Sequence, residues 1–462
     1  QAVAAGKKEG GITSIDVDLL DEVTALVEWP VAMVGHFEEA FLRVPQEALI
    51  TTMESNQKYF PVLDQQGKLK NAFVFISNLD SKEPQWVISG NEKVVRPRLS
   101  DAAFFYDLDR KKTLAQHAEP LEKVVFQQQL GSVADKGRRI AKLAGVIAEQ
   151  IGGNKALAEQ AGVLAKADLA SAMVYEFDTM QGVMGYYLAQ HEGLDNEIAE
   201  AMREQYLPRF SGDVLPQTKT GMAVAIADKL DTLVGIFGIG QKPTGDKDPY
   251  ALRRATLGIL RIIIGQKLPL DMATLVDASL ATFGTTLKDN AGVRVDVLEF
   301  IQGRYRAMYQ EQGIDTPVIL SVLAVNPTRP LDIEQRIQAV AAFRARPEAA
   351  ALAAANKRVS NILGKLSGAA PDRISEAALQ QEEERALFTS LQQAIKDIGP
   401  QGQTQDYAAV LGRLATLREP VDAFFDKVMV MADDEALRNN RLAMLARLRG
   451  LFLQVADISE LG

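Results

Sequence analysis

From about Asp107 to its end, the chain repeats apolar residues three and four positions apart, the spacing that lines one face of an α-helix. "LEKVVFQQQLGSVADKGRRIAKLAGVIAEQIGG" keeps this pattern and stops at a glycine pair, so it is expected to be helical. Further helical segments are expected around 161–176, 198–205 and 222–237. Asp248 is placed to cap another helix, with Pro249 at its first position and Gly265 at its close. "NPTRPLD" breaks the next series, and "GKLSGAAPDRIS" and "DIGPQGQTQD" interrupt the last. A chain of 462 residues exceeds what one core supports, so several helical domains are predicted. Upstream the pattern changes. "VEWPVAMVGHF" and "NAFVFISNL" are short β-rich runs, and "VLDQQGKLKNAFVF" reads as a hairpin turning near Gly67. With a helical stretch between them, this first piece is α+β.

Composition removes several kinds of chemistry. A net charge of −9 opposes general polyanion binding, which leaves nucleic acid only a confined basic site. The absence of cysteine excludes disulfides, thiolate nucleophiles and cysteine-ligated zinc, and it fits a cytoplasmic protein. The three histidines, His36, His117 and His191, are far apart, and no metal site is expected. No run approaches the roughly 18 apolar residues of a membrane span. The opening "QAVAAGKKEGG" has no methionine and no signal-like apolar run, so it reads as the cut end of a longer protein. No Gly-x-Ser-x-Gly elbow and no carboxylate pair placed for acid–base work occurs, so no catalytic residue is assigned. "GIGQKPTGDKD" has phosphate-loop spacing from Gly240 to Gly245. However, Asp246 intervenes before Lys247 and Asp248 replaces the metal-binding hydroxyl, so the loop reads as a connector.

Three basic constellations remain. Arg96 and Arg98 stand near Phe104, Phe105 and Tyr106, which suits either a nucleic-acid groove or the apolar lid of the first domain. Tyr250, Arg254 and Arg261 line one face of the helix after the glycine loop, as a site for phosphates or a carboxylate-rich partner or as a solvated face. Near the end, "ADDEALRNNRLAMLARLRGLF" puts Asp433, Asp434 and Glu435 where a helix N-terminus favours negative charge. Leu437, Met444, Leu448, Leu451 and Val455 form a stripe there. Asn440 and Arg447 lie on one flank, Arg438 and Arg449 on the other, and Arg441 falls at the stripe's edge, where burial and pairing are expected. The flanks suit either arginine stems covering a bundle core or contacts to single-stranded bases and phosphates.

Longer strings carry a resemblance. "DKVMVMADDEALRNNRLAMLARLRGLFLQVADIS" resembles the helical anticodon-binding domain shared with arginyl-tRNA synthetases. "TTMESNQKYFPVLDQQGKL", "SGNEKVVRPRLSDAAFFYDLDRKKTL", "EQYLPRFSGD" and "DKLDTLVGIFGIGQKPTGDKDPYALRRATLGILRI" are similar to β subunits of bacterial heteromeric glycyl-tRNA synthetases, in order and along nearly the whole chain. The resemblance implies a mainly α, multidomain fold: a truncated α+β domain (1–110), a degenerate HD-like helical domain (111–265), a helical connecting body (266–345) and an anticodon-binding-like helical domain (346–462). It implies a non-catalytic, tRNA-binding subunit of glycine–tRNA ligase. The aminoacylation site, with its ATP and magnesium, would lie on an α-subunit partner, and two α and two β chains would form a heterotetramer. No cofactor is expected on this chain. The tRNA-binding candidates are Arg438, Asn439, Asn440, Arg447 and Arg449, with Arg96, Arg98, Arg253 and Arg254 for the tRNA backbone or the α subunit. HD-type phosphohydrolases hold metal with histidines and aspartates, whereas the matching positions here offer Lys136, Lys166, Asp168 and Asp228. The rival readings are such a phosphohydrolase centred on Asp168 and Asp228, and a helical scaffold with no RNA role.

Overall fold

The computed structural model describes residues 1–366, 368–403 and 405–462, so Ser367 and Thr404, within two of the predicted interruptions, lie outside the described residues. The chain is mainly helical and divides into two compact units, Gln1–Asp231 and Thr232–Gly462.

The first unit opens with a four-stranded antiparallel sheet. Its strands are β1 (Ile12–Thr13), β2 (Val31–His36), β3 (Phe60–Leu63) and β4 (Leu69–Ser77), in the order β1-β3-β4-β2. The β3–β4 hairpin turns at Gly67, whose φ of +79° is the left-handed geometry that the predicted turn needs. Ala72, Phe73, Val74 and Phe75 are all buried, which places β4 at the sheet's centre with both faces covered. Ala5, Leu19 and Val23 from the Ala2–Lys8 and Val17–Leu26 helices cover one face. On β2, Gly35 lies opposite Phe73, and a Cβ there would meet that ring at 2.5 Å, so the close approach requires glycine.

A 26-residue helix, Pro84–Asp109, follows and runs through Pro97, an element the sequence reading did not place. An interior proline removes one helical hydrogen bond. The buried stripe Val95, Leu99, Ala102, Ala103 and Tyr106 keeps the helix intact regardless. The aromatic trio divides accordingly, with Tyr106 in the core and Phe104 62% exposed. The stretch expected to be helical from Leu121 onward is instead split. Val125–Gln127 and Gly131–Ser132 pair as a two-stranded ribbon, and the helix begins only at Val133. Its start is a capping box, since Ser132 Oγ accepts from the Asp135 amide and Asp135 accepts from the Ser132 amide. The Val133–Gln150 and Lys155–Leu164 helices approach closely at Gly162, where a Cβ would meet Ala141 Cα at 2.5 Å. The Lys219–Gly238 helix carries Asp228 and Asp231 into this unit's core.

The second unit is helical throughout. Its first long helix starts at Leu252, later than Asp248 and Pro249 imply. Asp248 still caps it, because its carboxylate accepts from the amides of Leu252 (2.8 Å) and Arg253 (2.9 Å) across a left-handed Ala251. The final bundle comprises Ala349–Leu363, Glu382–Gln403, Tyr407–Ala415, Arg418–Lys427 and Glu435–Leu453. The break expected from Asp397 is thus displaced, since the Glu382–Gln403 helix continues through Gly399. Leu387, Leu391, Val410, Leu414, Phe424, Leu445, Leu448 and Phe452 form the bundle core.

Candidate nucleic-acid interface

The Glu435–Leu453 helix is the scaffold of the site. Asp434 caps it by accepting from the Leu437 amide at 3.0 Å, and its core stripe includes Met444, Leu448 and Leu451. Arg441 is 3% exposed and ion-paired to Glu384, as its place at the stripe's edge predicts.

The flanking candidates separate into engaged and free side chains. The expectation that Asn440 faces RNA is corrected. It is 4% exposed, its Oδ1 accepts from the Ser375 amide (2.6 Å), and its Nδ2 donates to the Ser375 carbonyl (3.1 Å). Asn440 therefore pins the segment preceding the Glu382–Gln403 helix. Arg449 is half-buried and donates to Asp457 at 2.6 Å, which in turn accepts from Ser459. Arg438 donates to the carbonyls of Ala432 and Asp433, closing the loop before its own helix. Asn439 and Arg447 are exposed, and among the described residues neither side chain has a partner.

Arg447 stands on a cleft of about 370 Å³ between the helix and the 370–372 segment, together with Asp372, Ala443, Ala446, Gly450 and Gln454. Gln454 also lines two neighbouring clefts of about 270 and 300 Å³, one of them containing the exposed Arg329 and both bordered by Arg336. Arg336 fixes this end of the helix. It donates to the carbonyls of Gln454 (2.7 Å) and Val455 (2.8 Å), groups a helix C-terminus leaves unsatisfied, and to Tyr407 Oη, with Asp332 at 2.7 Å. Neither Arg336 nor the cleft's Asp372, Gly450 and Gln454 was found from sequence. Arg336 follows the predicted break at "NPTRPLD", but no local signal marks its reach across 118 residues.

The other candidates lie apart from this cleft. Arg98 is exposed without a partner among the described residues, while Arg96 pairs with Glu38 at 2.5 Å. Arg254 is exposed, and Arg253 donates to the Gly245 carbonyl. Because the Asp248 carboxylate already takes the first amides of that helix, its N-terminus is closed to a phosphate.

The core of the first unit has the wrong charges for metal-dependent hydrolysis. Lys136 Nζ lies 2.9 Å from Asp228 and 3.1 Å from Asp231, and Lys166 Nζ lies 2.7 Å from Asp228. Arg139 also pairs with Asp231, at 2.6 Å. Burial alone would raise the Asp228 carboxyl, but the two ammonium groups outweigh it and hold it well below the usual carboxylate range. Two lysine ammonium groups thus occupy the carboxylate that a metal cage would need. Among the described residues no group of three or more His, Asp or Glu side chains is arranged to hold a metal ion. Asp168 accepts from the amides of Gly182 (2.5 Å) and Gly185 (3.2 Å), while its Oδ1 is buried without a partner. Burial pushes its carboxyl up to about 6 against those hydrogen bonds.

Comparison with known proteins defines the class first. Residues 352–458, which include the cleft and its helix, match the DALR anticodon binding domain. Residues 1–324 match the family described as glycyl-tRNA synthetase beta subunit. The chain is 55% identical over 460 residues to the glycine–tRNA ligase beta subunit of Aeromonas salmonicida, covering all of this chain and 67% of that one. It is 56% identical over 455 residues to the glycine–tRNA ligase beta subunit of Pseudomonas entomophila, covering 98% and 66%. The chain belongs to the glycyl-tRNA synthetase beta subunit family and spans about two thirds of the length of these relatives.

Proposed function

We propose that this chain is the tRNA-recognition part of a glycine–tRNA ligase β subunit, and that the Glu435–Leu453 helix takes the anticodon strand. The observation that carries this is Arg447, an exposed guanidinium with no partner among the described residues, standing on a cleft inside the anticodon-binding domain. A chain with a net charge of −9 does not attract phosphate over its surface as a whole, so RNA contacts are expected at confined basic sites such as this one. The chemistry of glycine activation, with ATP and magnesium, belongs in this reading to an α-subunit partner. Two α and two β chains form the working assembly in the cytoplasm. The present chain positions the tRNA and contributes no group to bond making.

The test is binding of glycine tRNA and of an unrelated tRNA by the chain together with an α subunit, measured by filter retention at two salt concentrations. A preference for glycine tRNA that weakens with salt is expected. Equal affinity for both RNAs, or none for either, would overturn the reading.

A further inference from the structure

Within the second unit, a cavity of about 250 Å³ opens between the Asn290–Glu311 helix and the start of the Met272–Thr282 helix. Its walls are mainly apolar and include Met272, Leu298, Ile301 and Pro327. The volume lies just below the roughly 300–1,000 Å³ of drug-sized ligand sites, which suits a smaller molecule.

Two polar groups here have no role in the fold. Tyr305 is 2% exposed, and its hydroxyl is buried without a hydrogen bond among the described residues. An unsatisfied buried hydroxyl costs about 1–3 kcal/mol, so it gains from an acceptor supplied from outside the chain. The Asp271 carboxylate acts on Tyr305 by charge only, because it is already taken by the Thr274 amide (3.1 Å) and the Thr328 hydroxyl. Burial and that charge push the phenol upward, so it stays protonated and can donate. The second group is Glu299, which lines the cavity, is exposed and has no partner among the described residues.

The other polar side chains are largely spent. Arg294 makes a two-pronged pair with Asp277 (2.6 and 3.2 Å), and Gln302 donates to the Leu323 carbonyl (3.2 Å). Asn326 is exposed at the rim and carries no charge. Glu299 is therefore the one charged group on this cavity that is unpaired among the described residues.

We infer that this cavity binds a small organic cation with an apolar body, its ammonium group paired with Glu299 and a hydrogen-bond acceptor at its other end facing Tyr305. The inference is independent of the RNA-binding reading. Glu299 precedes Tyr305 by six residues, a rise of about 9 Å along one helix, so the occupant is extended with its polar groups at opposite ends. The walls favour an aromatic or aliphatic body over a polyamine, whose inner charges would be desolvated against Met272, Leu298 and Ile301. An anion would be repelled by the one unpaired charge.

The test uses the whole chain, isothermal titration calorimetry and three probes of similar shape. These are tyramine, phenethylamine, which lacks the phenolic oxygen, and hydroxyphenylpropionate, which carries a carboxylate in place of the ammonium. Tyramine is expected to bind, phenethylamine about fivefold more weakly for want of one hydrogen bond, and the carboxylate not at all. Glu299→Gln should weaken tyramine binding about tenfold and leave the thermal midpoint unchanged, because the carboxylate it replaces is exposed and unpaired. Tyr305→Phe removes an unsatisfied hydroxyl, so it should leave the midpoint unchanged or raised while bringing tyramine down to the affinity of phenethylamine. No tyramine binding by the wild type at millimolar concentration would overturn the inference, as would an unaltered affinity in Glu299→Gln. Equal binding of the amines and the carboxylate would also overturn it, since that signals apolar partitioning only. A lowered midpoint in Tyr305→Phe with the tyramine preference retained would show that an internal water satisfies the hydroxyl, and would overturn the role of Tyr305.

Discussion

Arg441 and Glu384 form an ion pair inside the final bundle, Nε to Oε1 at 2.5 Å, with the two residues 3% and 0% exposed. Arg441 also donates to the Met429 carbonyl at 2.7 Å, and Glu384 accepts from the amides of Gln380 and Gln381, each at 2.8 Å. The pair joins the Glu435–Leu453 helix, the start of the Glu382–Gln403 helix and the loop leading into the former. Burial would raise the Glu384 carboxyl, but Arg441 and the two amides hold it below its ordinary value.

Removing one partner strands the other charge in the core. Arg441→Met is expected to lower stability by about 3–5 kcal/mol, and combining it with Glu384→Gln should cost less than the two single losses added. Urea midpoints of the four proteins provide the check, and strictly additive losses would contradict the assignment. The pH sign also follows. A depressed carboxyl contributes stability that is present above its unfolded pKa and lost as pH falls through the folded one. Acidification below about pH 4 should therefore narrow the gap between the wild type and the double variant.

Asn440 acts through the segment it holds. Asn440→Ala removes both hydrogen bonds to Ser375 and is expected to cost about 1–3 kcal/mol. Limited proteolysis should show faster cleavage between residues 368 and 380 than in the wild type. A cleavage pattern identical to the wild type would refute this role.

In the first unit, Asp228→Asn leaves Lys136 and Lys166 sharing a site with one charge removed. A loss of about 3–5 kcal/mol is expected, partly recovered by adding Lys166→Met. If the single variant unfolds at the wild-type temperature in calorimetry, the network is not structural.

Asp168 carries the opposite pH signature. Its carboxyl is pushed up to about 6 from an ordinary 3.8, so the folded state holds a proton that the unfolded chain has released. Stability therefore falls as pH rises from about 4 to 6 and stays lowered above that, by about 3 kcal/mol in all. Asp168→Asn keeps an acceptor for the Gly182 and Gly185 amides and carries no charge. It should raise the thermal midpoint at pH 7.5 and leave it nearly unchanged at pH 4. An equal shift at both pH values would show that the burial of charge is not the cause.

The local sequence specified most of the helices beyond Val133, the hairpin at Gly67, the burial of Arg441 and the family. All of these follow from local periodicity, turn chemistry or long matching strings, which are properties of neighbouring residues. It did not determine which polar residues remain free. Asn440 and Arg447 lie on the same flank of one helix, yet Asn440 is satisfied by Ser375, 65 residues away, and Arg447 by nothing among the described residues. Lys136 likewise meets the Asp228 backbone and side chain across 92 residues, and that distant meeting places ammonium groups in the core where a metal would otherwise be sought. The Pro84–Asp109 helix survives Pro97 because its buried stripe is packed. Periodicity reports which face of a helix turns inward. Only the tertiary structure brings a side chain's partners to it, and so only the tertiary structure leaves Arg447, Asp372 and Gln454 together on one open cleft.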